Sequence, residues 1–158
     1  MVFGLFKPKE EASVTRGTAS TTTSNAAASS PGFGSVRGAN VLVTGACGLV
    51  GARLVEMCLD RGAQTVLAVD LQNPDDVLQQ RFGNSPKVNM ATGPTQGDLT
   101  STEAMEAAFG KLPRIDVVFH IGGLAGPFFD RDEYMRVNYQ GTLKVIEMCK
   151  KYNVPKLV

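Results

Sequence analysis

This chain contains little histidine and little cysteine, and its cysteines do not have the spacing of metal ligands. It contains one histidine, His120, and three cysteines, Cys47, Cys58 and Cys149, in 158 residues. The cysteine count is odd and no pair has CxxC spacing, which argues against a disulfide framework or a zinc site. One histidine also argues against a histidine-based metal centre. The cysteine usage favours a reducing compartment, and we therefore expect a cytoplasmic protein.

Strong charge and long apolar runs are absent as well. The formal net charge is +1, which gives no electrostatic case for a nucleic acid or an anionic membrane as partner. No apolar run approaches the roughly 20 residues that span a bilayer. With 43% hydrophobic residues, the chain can instead form one domain with a buried core.

Residues 1–39 differ in composition from the rest of the chain. Serine, threonine and alanine dominate this stretch, which cannot bury enough apolar surface to offset the entropy lost on ordering. We therefore predict a disordered, solvated tail. No acidic residue occurs between Glu11 and Glu56, so an organelle-targeting role for the tail is the alternative.

From Asn40 onward, strand-like and helix-like stretches alternate. Such alternation predicts an α/β domain over residues 40–158, a Rossmann-type doubly wound parallel sheet with helices on both faces. We expect the sheet to be truncated at the start of a fifth strand, Lys156–Val158. The predicted strands are Asn40–Thr44, Thr65–Val69, Val88–Ala91 and Ile115–His120; the predicted helices are Leu49–Arg61, Asp75–Arg81, Thr100–Gly110 (with Glu103 completing a capping box) and Asp132–Tyr152.

The most informative motif is a glycine-rich loop between the first strand and the first helix. Glycine allows positive φ and lets phosphates approach the backbone, while the following helix offers unpaired N–H groups and a partial positive charge. This arrangement holds a dinucleotide pyrophosphate. The candidate pyrophosphate-binding residues are Gly45, Gly48, Leu49, Val50 and Gly51.

An acidic residue ends the second predicted strand. Asp70 follows Gly51 by 19 residues, close to the spacing of about 20 expected for the acid that binds the adenosine ribose. A carboxylate there accepts hydrogen bonds from the ribose hydroxyls and repels a 2′-phosphate. The next residues, Leu71 to Asn73, supply no arginine, so the predicted cofactor is NAD rather than NADP. An ordinary strand-ending aspartate is the alternative.

The loop spacing, Thr44-Gly45-x-x-Gly48-x-x-Gly51, resembles that of the extended short-chain dehydrogenases/reductases. Within that superfamily the chain is most similar to the 3β-hydroxysteroid dehydrogenase and sterol-4α-carboxylate 3-dehydrogenase branch, and the resemblance covers residues 40–158. The later stretches that carry it are Gly97-Asp98-Leu99, Val117-Val118-Phe119-His120, Tyr134-Met135-Arg136-Val137-Asn138-Tyr139-x-Gly141-Thr142 and Glu147-x-Cys149-Lys150.

The resemblance implies further cofactor contacts. Asp98 and Leu99 would flank the adenine, Ile121 and Gly122 would line the nicotinamide-side ribose, and Asn138 would help hold the cofactor. It also implies a structural rather than catalytic His120. The chain departs from the family where Gly122-Gly123 stands in place of the usual small Ala or Ser residues.

The same family uses a tyrosine acid/base and a lysine four residues later, on one helix face. Tyr152 and Lys156 have this spacing, but Pro155 prevents a regular helix between them, so we reject the pair. We therefore assign no catalytic residue and expect the isolated chain to be inactive. The resemblance implies the cofactor-binding part of an NAD-dependent oxidoreductase acting on a 3β-hydroxysteroid or sterol. A nucleotide-sugar epimerase or dehydratase, or a non-catalytic NAD-binding protein, are the alternatives.

Overall fold

The strand that precedes the glycine loop lies in the interior of a parallel sheet. The computed structural model describes residues 35–158, and within them the strand order is β3-β2-β1-β4. All three strand pairings are parallel. The predicted Rossmann-type sheet is therefore confirmed. The strands are β1 (Asn40–Thr44), β2 (Thr65–Asp70), β3 (Val88–Thr92) and β4 (Val117–His120).

The helices follow the prediction closely in the first half of the domain. Helix α1 begins at the predicted residue and ends one residue early. The short predicted helix starts with Asp75 as its cap, since the Asp75 carboxylate accepts from the N–H of Leu78 at 2.8 Å. The helical elements here are α1 (Leu49–Asp60), α2 (Asp76–Leu78), a π-helical segment (Gln79–Gly83) and α3 (Thr102–Phe109).

The cap of α3 differs from the prediction by one residue. Ser101, not Thr100, caps the helix: its hydroxyl accepts from the N–H of Ala104 at 3.1 Å and donates to Glu103 at 2.9 Å. The capping box assigned to Thr100 and Glu103 is thus wrong, because the Thr100 hydroxyl donates to Asp98 instead.

The helix predicted over Asp132–Tyr152 is present without a break from Arg131 to Lys151, but its middle part is π-helical. It consists of α4 (Arg131–Tyr134), a π-helical segment (Met135–Gly141) and α5 (Thr142–Lys151). The π segment ends where the helix meets the loop after β3, since a Cβ on Gly141 would lie 3.2 Å from the Cβ of Leu99. A π turn inserts an extra residue, and apolar periodicity alone does not reveal it.

Side chains alternate between two cores, one on each face of the sheet. Along β1, Val41 and Val43 face one core and Leu42 faces the other, and all three are fully buried. The first core includes Val55 and Cys58 of α1, while the second includes residues of α3 and α5 such as Phe109. The two layers leave the carboxyl ends of the strands open at one edge of the domain.

Both ends of the described region contact the sheet. Leu157 forms a parallel bridge with Val118, which places the predicted start of a fifth strand beside β4. At the other end, Ala39 is fully buried and Val36 packs against a core, so the packed region begins slightly before Asn40. The rest of the predicted tail, residues 1–34, lies outside the described residues.

Candidate cofactor-binding site

A cleft of about 470 Å³ lies at the carboxyl ends of β1, β2 and β4. This edge is where open α/β sheets bind ligands, between strands whose connections run to opposite faces. Ten of the eleven site residues predicted from the sequence line this one cleft: Gly45, Gly48, Leu49, Val50, Gly51, Asp70, Asp98, Leu99, Ile121 and Gly122.

The glycine loop is shaped by close backbone approach. Gly45 has φ +68°, a left-handed conformation that side-chain-bearing residues rarely adopt. A Cβ on Gly51 would lie 1.9 Å from the carbonyl oxygen of Gly45, a distance no real carbon tolerates. Helix α1 therefore starts directly against the loop, which brings its first turn to the cleft.

The N-terminus of α1 is free to bind an anion. Its N-cap is Gly48, which has no side chain to accept from the first-turn N–H groups, and that turn contains no acidic residue. Leu49 and Val50 both line the cleft at this turn. Unsatisfied N–H groups and the helix dipole make such an end suited to a phosphate.

Asp70 is held beside the glycine loop by two backbone groups. Its Oδ2 accepts from the N–H of Cys47 at 2.9 Å, and its Oδ1 accepts from the N–H of Gln72 at 2.9 Å. A carboxylate has about four lone-pair sites, so each oxygen can accept one more hydrogen bond. Asp70 thus presents two oriented hydrogen-bond acceptors in the cleft.

Cys47 does not have the properties of a redox-sensing thiol. Burial, followed by the charges of Asp70 and Asp75, raises its pKa to about 11. The thiolate is the reactive form of cysteine, and it is scarce at neutral pH when the pKa is so high. The contribution of Cys47 to the site is its backbone N–H, which binds Asp70.

Thr44 holds the loop that follows β4. The Thr44 side chain is fully buried, and its hydroxyl oxygen accepts from the N–H groups of Ile121 and Gly122 at 3.1 and 3.0 Å. Gly122 lies so close to its neighbours that a Cβ there would be 2.9 Å from Cδ1 of Leu99 and 3.1 Å from the nitrogen of Gly45. The close packing around position 122 therefore favours glycine there.

His120 links the ends of β1 and β4 to α5. Since the Thr44 oxygen accepts two N–H bonds, its single hydroxyl proton goes to His120 Nδ1, 2.8 Å away. The proton of the neutral ring then resides on Nε2, which donates to Thr142 Oγ1 at 2.9 Å. Thr142 in turn donates to the carbonyl of Asn138 at 2.6 Å. Burial lowers the pKa of His120, which favours this neutral form.

Asn138 differs from the other ten predicted site residues because it does not line the cleft. Its side-chain Oδ1 accepts from the N–H of Leu124 at 2.7 Å, and its Nδ2 donates to the carbonyl of Leu124 at 2.9 Å. Asn138 therefore fastens the far end of the loop that Thr44 holds at its near end. The roles of Thr44 and Thr142 are not evident from the local sequence, because both hydroxyls bond to His120 on β4.

Tyr152 and Lys156, the pair rejected on sequence grounds, do not share a helix. Tyr152 follows the last residue of α5, and Asn153 has φ +51°, so the chain leaves the helix before Lys156. The Tyr152 hydroxyl donates to the carbonyl of Glu106 at 3.3 Å, and its ring packs 5.6 Å from that of Phe109. Tyr152 therefore has a packing role against α3.

Residues 35–158 contain no cluster of histidine, cysteine, aspartate and glutamate side chains suited to a metal ion. Nor do they contain a helix with the length and apolar character needed to cross a membrane.

A profile of the 3-beta hydroxysteroid dehydrogenase/isomerase family matches residues 42–158, and the chain belongs to that family. The bovine (Bos taurus) sterol-4-alpha-carboxylate 3-dehydrogenase, decarboxylating, is 37% identical over 117 residues, which cover 73% of this chain and 28% of that protein.

Solved structures show the same fold. The epimerase Mth375 of Methanothermobacter thermautotrophicus is 25% identical with a TM-score of 0.64, over 77% of this chain and 34% of that one. The Bordetella bronchiseptica enzyme WbmF, solved in complex with NAD+, is 26% identical with a TM-score of 0.60, over 77% and 36% of the two chains. This chain thus spans about a third of the length of these relatives.

The first prediction concerns the contact between Gly51 and Gly45. Gly51→Ala should destabilise the domain by about 1–3 kcal/mol or more, because the new Cβ must displace the Gly45 carbonyl. Gly48→Ala is the matched control, since its Cβ would lie 3.3 Å from the same oxygen and its backbone is already extended. Urea unfolding measures both. Equal stability of the two variants would contradict the close-approach interpretation.

The second prediction concerns the protonation of His120. Burial lowers the pKa of His120 in the folded state. The neutral ring therefore stabilises the fold fully above the unfolded-state pKa of about 6.5, and this stabilisation is lost as pH falls through the folded-state pKa. The free energy of unfolding should therefore decrease from pH 7.5 to 5. In His120→Gln, which keeps a donor and an acceptor, this decrease should vanish, since His120 is the single histidine in the chain. An unchanged slope in that variant would refute the assignment.

Proposed function

We propose that residues 40–158 bind NAD and form the cofactor-binding part of an oxidoreductase acting on a CH–OH group. The observation that carries the proposal is the shared cleft. It combines an uncapped helix N-terminus behind a close-packed glycine loop with an oriented carboxylate, Asp70, at the neighbouring strand end. These are the groups that a pyrophosphate and an adenosine ribose require. The complex of WbmF with NAD+, on the same fold, supports this use of the cleft.

Negative charge beside the proposed ribose site favours NAD over NADP. A 2′-phosphate at the ribose would lie against Asp70, whose oxygens already hold the Cys47 and Gln72 N–H groups in place. Asp75 adds a second carboxylate nearby, close enough for its charge to raise the Cys47 pKa. Two carboxylates repel a phosphate dianion, whereas a ribose diol donates to Asp70 without electrostatic cost.

The loop after β4 is the proposed nicotinamide side of the cleft. Ile121 and Gly122 line it there, and Thr44 and Asn138 fasten the loop at its two ends. A rigid loop orients the nicotinamide ribose, so less entropy is lost when substrate and cofactor meet. The cofactor supplies hydride transfer when bound. The described residues supply its binding and orientation, and none is assigned as acid or base.

The proposed substrate is a 3β-hydroxysteroid or sterol. Membership in the 3-beta hydroxysteroid dehydrogenase/isomerase family and the similarity to bovine sterol-4-alpha-carboxylate 3-dehydrogenase support this class. A nucleotide-sugar epimerase is the second candidate, supported by the likeness to the epimerase Mth375. The two candidates share the cofactor cleft and differ in whether NADH accumulates, since an epimerase reoxidises its cofactor within each cycle.

The third prediction tests the cofactor assignment. Asp70→Ala should weaken NADH binding roughly tenfold, because two hydroxyl bonds to a charged acceptor are lost. Asp70→Asn is the matched control, because its amide oxygen can still accept one N–H. Since the asparagine has no charge to repel a 2′-phosphate, this variant should prefer NADH over NADPH less strongly than the unaltered chain does. Fluorescence titration with both dinucleotides measures the affinities. Unchanged NADH affinity in Asp70→Ala would place the ribose elsewhere.

The fourth prediction separates binding from turnover. The 158-residue chain should bind NADH yet form none from NAD+ and a 3β-hydroxysteroid, because no tyrosine–lysine pair lies on one helix face within the described residues. A longer polypeptide that continues this sequence through such a helix should form NADH with the steroid. Epimerisation of a UDP-sugar without net NADH would favour the second candidate. Steroid oxidation by the 158-residue chain itself would contradict the assignment.

A further inference from the structure

The hydroxyl group of Thr44 has no hydrogen-bonding capacity left. Its oxygen accepts from the N–H groups of Ile121 and Gly122 at 3.1 and 3.0 Å, and its proton goes to Nδ1 of His120 at 2.8 Å. A hydroxyl offers one proton and two lone pairs, so it cannot accept from a further donor. Thr44 is also fully buried, so solvent water does not reach the hydroxyl to replace a lost partner.

Protonation of His120 would place a third donor against this oxygen. Both ring nitrogens of an imidazolium carry a proton, so Nδ1 would change from an acceptor into a donor facing Thr44. Three N–H groups would then compete for two lone pairs. Either Ile121 or Gly122 loses its bond to Thr44, or the Nδ1 proton stays without a partner, and each alternative leaves a buried polar group unsatisfied. The charge state of His120 is therefore coupled to the loop after β4.

The coupling acts on one side of the ring only. Nε2 of His120 donates to Thr142 Oγ1 at 2.9 Å, and it carries its proton in the neutral ring and in the imidazolium alike. Thr142 passes its own proton to the carbonyl of Asn138, so its bonds are the same in both states. Protonation thus disturbs the near end of the loop, which Thr44 holds, and spares the far end, which Asn138 holds.

The ring of His120 is bonded on both sides by neutral hydroxyls. Strand β1, which supplies Thr44, contains no titratable side chain. The carboxyl group of Val158 accepts from the backbone N–H of His120 and not from its ring. Burial is the cause that lowers the pKa of His120. The charged side chains of the π segment and α5 are bound to residues outside β4 or exposed: Arg136, Lys144, Glu147, Lys150 and Lys151.

We infer that His120 is a positioning residue whose neutral ring keeps Thr44 fastened to the nicotinamide side of the cleft, so that dinucleotide binding and protonation of His120 oppose each other. The inference rests on the proposed function, in which Ile121 and Gly122 line the nicotinamide-side ribose. Linkage makes the opposition reciprocal: by whatever factor protonation weakens binding, binding disfavours protonation.

The fifth prediction uses two ligands that differ by one ribose. ADP-ribose contains the nicotinamide-side ribose of NAD, whereas ADP lacks it. Both ligands are anions, whose charge alone would raise the pKa of His120. Saturating ADP-ribose should instead lower that pKa, because the bound ribose requires the fastened loop, and ADP should not lower it. His120 is the single histidine in the chain, so an NMR titration of histidine ring signals from pH 4.5 to 8 follows this residue alone.

Variants of the two bonded residues provide the second arm, measured by calorimetric titration. The affinity of the unaltered chain for ADP-ribose should fall about tenfold between pH 7.5 and a pH at which His120 is charged. His120→Gln should lose this decrease, apart from any part that Asp70 contributes by its own protonation. Thr44→Ser retains the hydroxyl and should keep the effect of ADP-ribose on the His120 pKa, whereas Thr44→Val should abolish that effect.

The unaltered chain alone suffices to contradict the inference, even if a variant does not fold. If neither ADP-ribose nor ADP binds at pH 7.5, the proposed function fails. If ADP-ribose binds without lowering the pKa of His120, or ADP lowers it equally, the inference fails while the cofactor assignment stands. The nitrogen chemical shifts of the neutral ring give an independent check. A proton on Nδ1 instead of Nε2 would overturn the inference, because Thr44 could then not donate to His120.

Discussion

The geometry of the cleft depends on one close contact, that of α1 with the loop before it. The Gly45 carbonyl and the α carbon of Gly51 are so near that no side chain fits between them. This contact places the uncapped first turn of α1 at the edge of the sheet, next to the carboxyl ends of β2 and β4. Had the helix started further from the loop, its N–H groups and Asp70 would not face the same cleft.

A second set of contacts gives the opposite wall of the cleft its shape. Thr44, at the end of β1, satisfies two N–H groups of the loop after β4 and the ring of His120 with one hydroxyl. From His120 the hydrogen bonds continue to Thr142 on α5. Each buried polar group in this series has a partner, so the wall is rigid without a charged side chain in the series.

Local sequence predicted the elements whose signals are local. The apolar runs of β1 and β2 and the glycine loop between them gave boundaries correct to within one residue. The π turn before Gly141 and the Ser101 cap were missed, because each depends on which of several competing hydrogen bonds forms. The series from Thr44 through His120 to Thr142 requires the parallel pairing of β1 with β4, which no single segment encodes.

Asp70 stabilises the glycine loop and, in the proposed function, would also bind the cofactor ribose. The same carboxylate that would distinguish a ribose diol from a phosphate also binds the N–H of Cys47 inside the glycine loop. If Asp70 selects the cofactor as proposed, substitutions that change this choice would also weaken the support of the glycine loop. In the course of evolution, a change from one dinucleotide to the other would require a paired replacement, one residue for the new charge and another to restore the lost support.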